Sequence, residues 1–208
     1  MSVHERFHYK TLGEVIAKCN ELGLSLPFAE DTKALSKPLQ VRNVTFPNRL
    51  GSAPMEGADS TVDGSPSTFT LNRYKKIAEG GAAIMWFEAI SVAEEGRSSM
   101  TQLLITKDNV DEFKKLTEAV KEAGLKKNGY EPYLIMQANH SGRYSNPGNK
   151  PFPLIMYHHP FLEQFRSAED ENIVSDDYLK KTEENFEEGA KLAKEAGFDA
   201  VDIKQCHG

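Results

Sequence analysis

Residues 133–143 read YLIMQANHSGR. In an extended chain Leu134 and Met136 fall on one side, and Tyr133, Ile135 and Gln137 on the other. The apolar run then stops and delivers Gln137, Asn139, His140 and Arg143 together. A buried strand ending in clustered polar side chains suits an α/β enzyme, whose ligands sit beyond the carboxyl ends of parallel strands.

Outward from this stretch, strands and helices alternate. Leu50–Met55 reads as a strand, Pro66–Ala78 as a helix, and the almost wholly apolar Ala82–Ala89 as a strand covered on both faces. A helix over Asn109–Ala123, stopped by Gly124, leads into Tyr133–Gln137. A last helix opens after Ser175-Asp176, a good N-cap, and Gly197 closes it before a strand at Phe198–Lys204. In that strand Val201 and Ile203 share the helix-facing side, so Asp202 and Lys204 are expected to point inward as partners.

This β-α-β-α-β-α-β order implies a parallel sheet, as an open doubly wound sheet or as a barrel. A (β/α)8 barrel needs about 250 residues, so four strands would be its first half, and the chain reads as a piece of a longer protein. Leu39–Val41 and Val44–Phe46 flank Arg42-Asn43 as a hairpin that could close the bottom. Residues 1–36 read as a helical extension and linker, with Leu12, Val15, Ile16, Cys19 and Leu22 at helical spacing on a helix expected to pack on the main body. Residues 37–208 form the half-barrel, with a Pro-rich insertion at 144–174.

Composition narrows the function. The 208 residues are 39% hydrophobic and 27% charged, with a net charge of −6, an ordinary globular balance that lacks the basic surface nucleic acid needs. Two cysteines fit a reducing cytoplasm rather than a disulfide framework, and no segment has the roughly 20 apolar residues of a membrane span. A small-molecule substrate is the expected partner, and a homo-oligomer is compatible with the sequence.

Four segments carry a resemblance: NRLGSAPMEG (48–57), DGSPSTFTLNRYKKIAEGGAAIMWFEAISVAEEGR (63–97), QANHSGR (137–143) and AKEAGFDAVDIKQCHG (193–208). In that order they resemble the old yellow enzyme family of FMN-dependent (β/α)8 barrels, which favours the barrel. The resemblance implies FMN, reduced by NAD(P)H, and hydride transfer to the alkene of an unsaturated carbonyl compound. It implies that Pro54, Met55 and Glu56 lie against the flavin with Ala89 beside it, and that Gln137 pairs with the pyrimidine edge. Lys204 and His207 match the pair that grips the substrate oxygen. Glu56 stands where the family commonly has threonine or cysteine, and Lys204 where it has histidine or asparagine. The family's proton-donating tyrosine follows the His-Gly pair, and its phosphate site comes later still, so the 208 residues alone are expected to be inactive. No metal is implied.

Two rival readings compete. In a metal-dependent barrel hydrolase or lyase, Glu56, Glu88, His140 and His207 would meet at one mouth, though without a close His pair. In the other, the chain is a non-catalytic half-barrel module. His140 and Arg143 read as loop-positioning residues, His158-His159 as surface, and Met55 and Trp86 as packing.

Overall fold

A computed structural model of the chain describes residues 6–29 and 31–206. Part of the expected linker (Glu30) and one expected site residue (His207) fall outside that range. The described chain divides into two units, one ending at Ala34 and the other beginning at Leu35. In the first, α1 (Leu12–Glu21) starts at a capping box: the Thr11 hydroxyl accepts from the Glu14 N–H, and the Glu14 carboxylate accepts from the Thr11 N–H.

The second unit opens with the expected hairpin. β1 (Leu39–Val41) pairs antiparallel with β2 (Val44–Phe46). The main sheet is parallel, in the order β3 (Gly51–Ser52), β4 (Ile84–Ser91), β5 (Tyr133–Asn139), β6 (Ala200–Ile203). Between the strands run α2 (Thr68–Glu79), α3 (Val110–Asn128) and α4 (Asp176–Glu195).

All three helices cover one face. Tyr74 and Ala78 of α2, Phe113, Leu116 and Val120 of α3, and Leu192 and Ala193 of α4 share one core with Met85, Phe87, Leu134 and Met136. The opposite face carries Trp86, Ile135, Gln137 and Asp202, all half-buried. Sequential strand order with helices on one face is barrel topology. A doubly wound sheet would reverse its order and cover both faces.

Two expectations are corrected. The first strand is two residues long rather than Leu50–Met55, because Pro54 has no N–H to give a ladder. Gly124 does not stop α3, which runs on to Asn128 and ends at Gly129 with φ +81°. Gly124 is a packing residue: a Cβ there would lie 2.6 Å from Pro132 Cδ and 3.2 Å from the Tyr130 carbonyl oxygen. Alanine would gain about 1 kcal/mol in helix propensity, but crowding a rigid proline ring costs about 1–3 kcal/mol, so the clash wins. Gly124→Ala is expected to lower the urea midpoint, by about 1 kcal/mol net.

Candidate functional site

At the carboxyl ends of the strands, the ladder register sets Ala89 opposite Gln137 and Gln137 opposite Asp202. Gln137 Nε2 donates to Asp202 Oδ2 at 2.9 Å, and the indole N–H of Trp86 donates to the same oxygen at 3.1 Å. Three strands thus meet on one carboxylate. Asp202 is therefore engaged by Trp86 and Gln137, and among the described residues no ion pair joins it to Lys204. Lys204 is half-buried and borders an apolar groove of about 590 Å³ with Phe186, Leu179 and Ile203.

β4 reaches this register through a bulge between Trp86 and Ala89, where three steps of β4 span two of β5. The extra residue aims both Phe87 and Glu88 at α2. The Phe87 ring stacks on Tyr74 at 3.8 Å between centroids, and Glu88 is fully buried. Ala89 is buried beside Gln137, and its carbonyl accepts from Gln102 Nε2 at 2.9 Å.

Glu88 anchors the loop after β3. Its carboxylate accepts from Arg73 Nη2 at 2.6 Å, the Tyr74 hydroxyl at 3.1 Å and the Gly57 N–H at 2.9 Å. The other side of the Arg73 guanidinium holds Asp59, which also accepts from the Thr70 hydroxyl at 2.8 Å. Burial alone would raise the Asp59 carboxyl, but the hydrogen bonds from Arg73 and Thr70 hold it below the usual carboxylate range. Burial pushes the Tyr74 hydroxyl up, reinforced by the Glu88 charge.

This clamp fixes the backbone that carries Met55 and Glu56. Both border a cavity of about 280 Å³ with Ser52, Trp86 and Ile77. Met55 is 75% exposed there, and the Glu56 carboxylate accepts from the Ser98 hydroxyl at 3.1 Å. Pro54 lies half-buried just before them. Ser52 Oγ is buried without a partner, an orphaned polar atom on the same strand end.

His140 ties the loops after β4 and β5 to the start of α4. Its Nδ1 accepts from the Gly142 N–H at 3.1 Å, so in the neutral ring Nε2 carries the proton and faces the Tyr178 oxygen at 2.8 Å. The Tyr178 hydroxyl in turn donates to Glu95 at 3.2 Å. Burial depresses the His140 pKa, against an opposing pull from Glu95. A depressed folded-state pKa means that the unfolded chain binds the proton more readily. The stability from neutral His140 is then fully present above the ordinary histidine value and is lost as pH falls through the lower folded one. The unfolding-midpoint advantage over His140→Gln is expected to shrink between about pH 8 and pH 5.

Arg143 is buried at 2% exposure, facing Glu163 and the Tyr157 carbonyl of the insertion, each at 3.4 Å. His158 lies on the surface between Glu163 and Asp170. The metal reading fails on this geometry. Glu88 is committed to Arg73 and His140 to Tyr178, and among the described residues no three His, Cys, Asp or Glu side chains converge on a metal position. No helix among the described residues is long and apolar enough to cross a membrane.

Sequence reading missed Asp202 and Trp86 as one unit with Gln137, and Arg73 and Asp59 as partners of Glu88. The alternation of β6 pointed Asp202 inward, but the pairing depends on register between strands more than sixty residues apart.

A parallel sheet covered by helices on one face, with strand ends that converge on an amide and a carboxylate, is the first half of a (β/α)8 barrel. The chain belongs to the NADH:flavin oxidoreductase / NADH oxidase family, whose model matches residues 34–208. It is 32% identical over 179 residues to an NADPH dehydrogenase of Bacillus velezensis, covering 85% of this chain and 49% of the relative. The old yellow enzyme of a Pichia species superposes with a TM-score of 0.66 at 22% identity, over 82% of this chain and 45% of that one. A morphinone reductase solved in complex with tetrahydroNAD gives 0.64 at 22%, over 82% and 48%. The chain spans about half the length of the relatives it matches.

Proposed function

We propose that the protein is an FMN-dependent oxidoreductase of ene-reductase type, which takes reducing equivalents from NAD(P)H and passes hydride to the alkene of an unsaturated carbonyl compound. Gln137 carries this reading. It stands on the inner face at the end of β5, with its amide carbonyl unpartnered among the described residues, in a chain of this family. A glutamine that both donates and accepts fits the pyrimidine edge of a flavin.

When bound, FMN supplies the hydride-accepting and hydride-donating centre. The chain's own residues do the rest. Gln137 orients the ring. Exposed Met55, with Pro54, Glu56 and Ala89, borders it. Lys204, half-buried at the end of β6, donates to the substrate oxygen as charge develops there. His207 is the second donor in this proposal. The substrate is a small molecule, and free Cys19 and Cys206 fit a reducing cytoplasm.

The visible spectrum of the purified full-length protein titrated with FMN tests the proposal. A perturbed flavin spectrum, bleached by NAD(P)H and restored by a cyclic enone, is the expected result. A protein that takes up no flavin and instead holds zinc would sink it.

A further inference from the structure

We propose that Asp202 is a positioning residue, which sets the direction of the Gln137 amide and so decides the hydrogen-bonding edge offered to the cofactor. This inference rests on the flavin reading above. The indole N–H of Trp86 can only donate, so Asp202 Oδ2 is an accepting oxygen. The Gln137 atom 2.9 Å from it is therefore the amide nitrogen. Oxygen and nitrogen of an amide are nearly equal in shape, and a lone glutamine on a strand end would fit either way round. With Asp202 in place one orientation wins. The carbonyl oxygen of Gln137 and its second N–H are left for a ligand.

The ladder enforces this pairing. Gln137 and Asp202 are register partners on adjacent parallel strands, and Trp86 reaches the same oxygen from the strand on the other side of β5. A ligand that matches what remains presents an N–H beside a carbonyl, the imide edge of a pyrimidine-type ring. The cofactor's isoalloxazine carries such an edge. Lys204 does not compete, since among the described residues it makes no ion pair with Asp202.

A double-mutant cycle read by FMN titration tests the inference. In the unaltered protein Gln137→Ala is expected to weaken FMN binding about tenfold. In the Asp202→Leu background the same change is expected to cost about twofold or less, because the amide is no longer directed. Asp202→Ser, too short to reach Gln137, serves as the second background and guards against misfolding of the leucine variant. Asp202→Asn keeps an accepting oxygen at the same place and is expected to restore the full cost. Without flavin, the emission of Trp86, the chain's 1 tryptophan, is expected to shift in Asp202→Leu and hold in Asp202→Asn.

If Gln137→Ala costs the same with Leu or Ser at 202 as with Asp, the inference falls while the flavin reading stands. If the unaltered protein binds no FMN, the flavin reading falls and the inference with it.

Discussion

Glu88→Ala is expected to remove about 3 kcal/mol of stability, measured as a loss of urea midpoint at neutral pH. The magnitude follows from what is left behind. Arg73 sits between two carboxylates, one of them fully buried, and its own side chain is 28% exposed. Removing Glu88 strands half of a guanidinium, the Tyr74 hydroxyl and the Gly57 N–H together. Breaking a buried pair from one side costs about 3–5 kcal/mol, and the partial exposure of Arg73 places the effect at the lower end. The surface pair of Lys115 and Glu112, with side chains 69% and 49% exposed, gives the contrast. Lys115→Ala is expected to leave the midpoint nearly unchanged, because solvent screens an exposed pair. Equal effects from the two substitutions would show that the clamp contributes nothing beyond a surface ion pair.

The second large effect is on binding. Gln137→Ala is expected to weaken FMN affinity about tenfold with little change in stability, because the lost amide contacts are with ligand rather than core. Gln137 is half-buried on the inner face and, among the described residues, its side chain makes a single hydrogen bond, that to Asp202. Flavin fluorescence quenching gives the affinity and chemical denaturation the stability. An unchanged affinity would mean that the amide does not meet the cofactor.

Much of this was legible in the residues. The alternation in 133–137 told which side chains enter the core, since period two leaves little choice once one face is apolar. Leu134 and Met136 are fully buried, while Ile135 and Gln137 are not. The hairpin and the Ser175 cap were readable because turn and cap chemistry is local; the Tyr178 N–H donates to Ser175 Oγ at 3.2 Å. Gly124 misled because a glycine required by a neighbouring proline looks the same in sequence as one that ends a helix. The first strand was read too long because apolar content says nothing of ladder bonds. Arg73 with Glu88, and Asp202 with Trp86, were hidden for another reason. Each contact joins separate elements, and the bulge in β4 shifts faces midway along the strand.

That bulge has a chemical meaning of its own. Were β4 to alternate regularly beyond Trp86, Glu88 rather than Ala89 would take the place beside Gln137. A carboxylate would then stand where a methyl group now does, and Arg73 would be left facing Asp59 alone. The bulge thus governs the charge of the pocket wall, since it is what seats the Ala89 methyl rather than the Glu88 carboxylate beside Gln137.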